Sequence, residues 1–316
     1  MTVELLAQDQ VQNQLVAPST VGDVIGQSFR LCRSQIKFLA RIQLMPTIIE
    51  LLGNLLIVVG AHNIASGDTS HIWQSLAILM PGLFLRLLGE FFLTMRHMAV
   101  IRWFTGFSSN YKDAYDFVWT RKFYLVFAVT AIYMMLTASV VFWCVVMGVS
   151  LVFVKVKALA IVAAIGAIGS VAAMFASLLI CTLPLILIAP AIACESTDFT
   201  TVMGEGLKLT FSNLFRTLFF GGLLIVTVYV IAAALDSVPI VVTLVEYARA
   251  IIYGGAKGLP KTINLYTQIF SSVWRSASNM FVSPLVFVAC GLFYADVRMR
   301  VDGLDLSTAL NKLKSD

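Results

Sequence analysis

The chain has 316 residues, 59% of them hydrophobic and only 12% charged, with a mean hydropathy of +0.90 and a formal net charge of +5. Soluble globular chains are nearer half apolar and a quarter charged, so this composition excludes a soluble enzyme, a disordered protein and, despite the basic balance, a nucleic-acid-binding domain. It describes an integral membrane protein of the all-α class without saying what that protein does.

In chain order, residues 1–20 are polar and glutamine-rich, with neither a basic n-region nor a long apolar h-region, and read as a flexible cytoplasmic tail instead of a cleavable signal peptide. A bilayer core is crossed by about 20 mostly apolar residues. On that criterion six spans are expected, at residues 44–61, 72–95, 123–154, 158–193, 218–235 and 281–295. With the N-terminus inside, fifteen of the 22 Lys and Arg fall on the cytoplasmic side, six fall opposite and Arg86 lies within a span. The positive-inside rule then puts both termini in the cytoplasm. The expected membrane is a prokaryotic cytoplasmic or other inner membrane.

Three basic, amphipathic segments beginning at Gly26, Ala114 and Gly204 each lead into a hydrophobic hairpin. Their offsets of 88 and 90 residues point to a threefold internal repeat. Its units are 21–108, 109–198 and 199–300 within a single membrane domain, 21–300, ahead of a cytoplasmic tail, 301–316. Each segment reads as a helix lying in the interface, its cations facing anionic headgroups. Arg30, Arg33, Lys37, Arg96, His97 and Arg102 are the anchors expected to do so. Residues 236–280 form the longest non-spanning piece and read as two amphipathic helices, broken at 254–260, that lie on the outer surface or cap the bundle.

Ionisable groups within a span are costly, and so are paired, hydrated or functional. Glu50 and Asn54 share a helix face at i, i+4, as do Arg86 and Glu90. Counted from the cytoplasmic ends at about 1.5 Å per residue, Glu50, Glu90 and Arg86 lie about 10, 9 and 15 Å deep. One arginine bridging two carboxylates would staple the first hairpin, or would make a proton- or cation-linked site. Prolines 46, 81, 184, 190 and 284 sit in or at spans and predict kinks, with the freed carbonyls satisfied by neighbours. Gly166, Gly169, Ser170, Ala173 and Ser177 form a small-residue packing stripe. The five cysteines, Cys32, Cys144, Cys181, Cys194 and Cys290, are scattered and read as packing residues. His62, Asp68 and His71 flank or occupy an external loop and read as solvated. No catalytic set, cofactor motif or metal-ligand spacing emerges, so a non-enzyme is expected.

Near the C-terminus, a proline-started span precedes an aromatic-x-Asp-x-Arg-x-Arg run and then Gly-x-Asp-Leu. Pro284, Tyr294, Asp296, Arg298, Arg300, Gly303 and Asp305 carry this pattern. It resembles the membrane domain associated with glycerophosphoryl diester phosphodiesterases and its stand-alone relatives, and the stretch from Ala189 to Glu195 followed by an amphipathic helix is similar to that family's mid-chain pattern. The resemblance implies a six-helix membrane fold. It implies no phosphodiesterase activity, because a catalytic barrel would need some 200 or more further residues. The expected function is a membrane-embedded binding, scaffold or assembly component whose partners are membrane lipids and other membrane proteins. The alternative is a transporter or channel working through Glu50, Arg86 and Glu90.

Overall fold

A helix satisfies its own backbone polar groups, which is what an apolar setting demands of a chain this hydrophobic. The computed structural model describes residues 20–65, 72–154, 160–254 and 264–301, and among the described residues there are nine helices and no strand. They follow one rhythm, a short helix and two long ones, three times. The first round is α1 (Val21–Ser34), α2 (Ile36–Ala65) and α3 (Ile72–Phe104). The second is α4 (Tyr111–Thr120), α5 (Lys122–Val154) and α6 (Ala160–Cys194), and the third is α7 (Phe199–Ser212), α8 (Leu214–Gly254) and α9 (Leu265–Val301). The shortest of the six long helices, α2, has 30 residues. At about 1.5 Å per residue it measures about 45 Å, longer than a bilayer core of about 30 Å.

Four stretches are long and apolar enough to cross a membrane: Ile36–Ile64, Trp73–Phe104, Leu214–Arg249 and Leu265–Val301. The fold is an all-α helical bundle, and these helices make it, by length and composition, a membrane protein. Among the described residues, α5 and α6 contribute the shorter apolar stretches Thr137–Ser150, Ile165–Met174 and Leu183–Cys194.

The short helices are amphipathic for a visible reason. In α1, Val21, Val24, Ile25 and Ser28 are buried at helical spacing while Phe29, Arg30 and Arg33 face outward. In α4, the side chain of Asn110 accepts from the Asp113 N–H and donates to its carboxylate, capping the helix start. Each short helix is separated from the next by a single residue, Gln35, Arg121 or Asn213. In all three cases the residue just before that break is a hydroxyl donor bonded back to the carbonyl three residues earlier: Ser34 to Leu31, Thr120 to Phe117 and Ser212 to Leu209. Such back-bonding competes with the helical ladder and marks the bend. Aligned on these hydroxyls, the outer two segments keep the register expected from Gly26 and Gly204, and the middle one shifts by two residues.

Two differences from the expected spans have one cause. The helix α8 runs on through Asp236 and Pro239 to Gly254, and α9 joins the expected outer segment near Trp274 to the last span. Separate surface helices over 236–280 are not present among the described residues; 255–263 lie outside them. A helix continues wherever its backbone is satisfied, and hydropathy reports the surroundings, not the conformation. Pro239 has no N–H for the Leu235 carbonyl, and Trp274 Nε1 donates to that carbonyl at 2.8 Å. The same device recurs in α2, where Pro46 leaves the Ile42 carbonyl without its ladder partner and Arg96 donates to it. At the end of α3, Gly106 takes a left-handed φ of +80° that closes the helix.

The α2–α3 hairpin is built on glycines. A Cβ on Gly53 would meet the backbone of Arg86 and Gly82, and one on Gly89 would meet the Glu50 backbone at 2.5–2.8 Å. Gly60 and Gly82 are similarly tight, against Ser75 and Leu79 and against Leu56 and Ile57. The predicted stripe on α6 is mixed: a Cβ on Gly166 would meet Ser150 Oγ of α5 at 3.2 Å, whereas one on Gly169 would meet nothing within 4 Å. Ser177 does join α6 to α5, its hydroxyl 2.6 Å from that of Ser139. By contacts the chain divides into two units: one of Ile101–Gly221 and the chain from Cys290, the other of Gly22–Val100 and Gly222–Ala289.

Candidate functional site

In the second of these units, Glu50, Glu90, His97, Asn279, Ser283 and Phe287 line a cleft of about 250 Å³. The close approach of Gly89 to the Glu50 backbone sets Glu50 of α2 beside Glu90 of α3, and Gly53 meets the Arg86 backbone about one turn along. Glu50 is buried, 7% exposed, and the Asn54 side chain one turn on interacts with its carboxylate. Arg86 does not bridge both acids. It pairs with Glu90 at 4.0 Å, both side chains about half exposed at 48% and 51%. That pair is wide and lies i, i+4 on the exposed face of α3. The helix α3 points Arg86 outward because its inward face at this level is occupied by Gly82 and Gly89 against α2.

His97 is not a headgroup anchor. It is 1% exposed, stacked on Phe287 with ring centroids 4.5 Å apart, and Ser283 Oγ stands 3.5 Å from either ring nitrogen. Arg96 and Arg102 are half-buried, and each has a partner inside the protein. Arg96 serves the Ile42 carbonyl. Arg102, in the first unit, donates to the Ala193 and Cys194 carbonyls at 3.0 and 2.7 Å, at the C-terminus of α6, and lies over the Phe117 ring at 3.5 Å. A cation there satisfies the orphan carbonyls and the negative end of the helix dipole. The reason is common to all three residues: α3 extends nine residues beyond the expected span end at 95, so they belong to a packed helix. Arg30, Arg33 and Lys37 are exposed, as an anchoring role requires.

The first unit holds the C-terminal motif, and there its polar side chains meet one another. Asp296, 3% exposed in its side chain, takes Arg216 of α8 at 2.5 Å and Arg300 at 3.3 Å. Tyr294, fully buried, donates to Glu195 at 2.5 Å. Arg298 lies 3.1 Å from Glu205 of α7 and 3.6 Å from Glu195. Beneath them Phe220 and Phe293 stack with centroids 4.0 Å apart. Three arginines thus face three carboxylates, drawn from α7, α8, α9 and the residue following α6. Alternate residues of α9 turn toward α8 and toward α7, which is why the motif's polar residues recur every second position. Pro284 belongs to the second unit, and Gly303 and Asp305 lie outside the described residues. Asp68 and His71 also lie outside them, and His62 Nδ1 is 3.4 Å from Gln268 Nε2.

Sequence reasoning missed Asn279 and Ser283, although they are an i, i+4 polar pair like Glu50/Asn54 and Arg86/Glu90. It also missed Glu205 and Arg216 as motif partners, because nothing local ties them to residues some 80 to 90 positions later. Among the described residues, no group of three or more His, Cys, Asp or Glu could hold a metal ion. Cys32, Cys144, Cys194 and Cys290 are free thiols.

No family model, curated protein or solved structure matches this chain. What fold and geometry define is a class: an all-α helical bundle with helices of membrane-crossing length, holding an ion cluster around Asp296 and a polar cleft around Glu50.

Proposed function

We propose that the chain is a non-catalytic integral membrane protein that acts as a binding, scaffold or assembly component. In this reading six helices, α2, α3, α5, α6, α8 and α9, cross a cytoplasmic or other inner membrane with both termini in the cytoplasm. The short helices α1, α4 and α7 lie in the cytoplasmic interface against anionic lipid. The observation that carries the reading is the ion cluster of Asp296. The residues richest in chemistry, those of the C-terminal motif, are engaged with one another across four elements, as in a structural clamp and unlike an active site that must offer a group to a substrate. The resemblance to a phosphodiesterase-associated membrane domain agrees with a partner-binding role. Extraction in mild detergent tests it: a stable partner protein is expected to co-purify, with no ion flux from proteoliposomes containing the chain alone. Flux under a proton or cation gradient would overturn it.

A second reading, transport, rests on the cleft. Glu50 is a buried carboxylate without an ion-pair partner within 4 Å among the described residues, and it shares its cleft with a buried imidazole. Intramembrane acids and histidines in such settings serve proton or cation pathways. This reading requires gradient-driven flux that Glu50→Gln abolishes in a protein that still folds.

A further inference from the structure

Where α1 bends into α2, the two helices border a groove of about 230 Å³ together with residues of α8 and α9. Its floor is aliphatic: Leu39 is 3% exposed and Leu285 4%. Phe281, 55% exposed, stands as one wall, and Cys32 and Ala40 line another. Among the described residues Arg33 is the one charged group in the lining, exposed at the edge of α1. Arg30 and Lys37 are exposed on the same two helices, and the acid of α1, Asp23, sits in its first turn, away from the bend. The groove is too narrow for a helix and offers a peptide backbone almost nothing to bond to. A slot of carbon with a cation at its edge is complementary to an amphiphile with a negative head.

We propose that this groove is a binding site for an anionic phospholipid, one acyl chain lying along Leu39 and Leu285 and the phosphate at Arg33. The proposal rests on the membrane reading above and deepens it: the bend at Gln35 becomes the place where the protein holds a chosen lipid and does not merely touch the bilayer. Pro284 strengthens the case. It has no N–H to offer the Met280 carbonyl, and both residues line the groove, which gives a headgroup hydroxyl an acceptor.

The test uses the full chain reconstituted in bilayers containing a trace of phosphatidylglycerol or phosphatidylcholine with the same photoactivatable acyl chain. Cross-linked peptides are then identified by mass spectrometry. Peptides covering residues 29–40 and 280–285 are expected to label preferentially with phosphatidylglycerol. Arg33→Gln is expected to lower that preference by about fivefold, the size of one basic residue at an anionic surface. Ala40→Phe, which fills the groove, should reduce labelling by both lipids; Cys32→Leu does the same if the larger residue prevents folding. Equal labelling by the two lipids, or labelling that neither filling variant changes, overturns the proposal while apolar faces elsewhere still label. Absence of labelling anywhere on the chain overturns the membrane reading and the groove with it.

Discussion

Around Asp296, three arginines, three carboxylates and a tyrosine are engaged with one another; around Glu50, a buried acid, a buried histidine, an amide and a hydroxyl line a common cleft. Both regions contain groups that are costly away from water. In the cluster the cost is offset locally, because Asp296 takes two guanidiniums and Glu195 takes both a phenol and a guanidinium. In the cleft no guanidinium among the described residues pairs with Glu50 within 4 Å: Arg96 serves a carbonyl that Pro46 leaves unpaired, and Arg86 pairs with Glu90. The difference teaches where to look for structure and where for function. An internally paired cluster holds helices together, whereas a cleft with polar capacity left over can accept something.

The largest effect is expected at the cluster. Asp296→Ala leaves Arg216 and Arg300 facing each other beside buried Tyr294, and removing one partner of a buried ion pair costs about 3 kcal/mol or more. Its thermal unfolding in detergent, followed by circular dichroism, should fall well below that of the parent. The next is the hairpin under the cleft. Gly89→Leu drives a side chain into the Glu50 backbone and should cost at least about 1–3 kcal/mol, the range for overpacking, whereas Gly169→Ala, whose Cβ meets nothing, should be neutral or stabilising by up to about 1 kcal/mol. Equal melting of these two variants would remove the glycine basis of the hairpin.

A smaller effect isolates the proline-freed carbonyl. Arg96→Leu strands the Ile42 carbonyl at about 1–3 kcal/mol, the cost of an unsatisfied buried acceptor. Pro46→Ala in the same chain restores an N–H at the right place, so the double variant should melt higher than Arg96→Leu alone. A failure of that rescue would mean that Arg96 acts through its charge. The smallest effect concerns Cys32, where burial disfavours the thiolate and pushes the thiol up to about 12. Its alkylation by a maleimide should be slow near neutral pH and keep accelerating as the pH rises toward 12, well beyond the range in which an ordinary thiol levels off.

Much of this was legible in the sequence. The apolar runs expected at 123–154 and 158–193 are helical in α5 and α6 among the described residues, because a long apolar run leaves little other choice. The shared depth of Glu50 and Glu90 followed from counting helical rise in two antiparallel helices. Pro46 predicted a stranded carbonyl, and Arg96 supplies the expected donor. What stayed hidden depended on partners distant in the chain. His97 sits between Arg96 and a hydrophobic run, a context that reads as interfacial, and only the α9 residues Ser283 and Phe287 show it to be packed. Asp236 and Pro239 read as the end of a span, since nothing local shows that a tryptophan 35 residues later satisfies the backbone. The glycines at 53, 60, 82 and 89 did offer a signal, two pairs each spaced by seven, that was overlooked in favour of the denser stripe on α6.

A double-mutant cycle over Arg216 and Asp296, read as unfolding free energy in one detergent, tests the central claim that the motif is a clamp. The account predicts that the two single variants each destabilise the protein and that the double variant costs less than their sum, with a coupling of at least about 1 kcal/mol. Additive effects, or an Asp296 variant that melts with the parent, would contradict it.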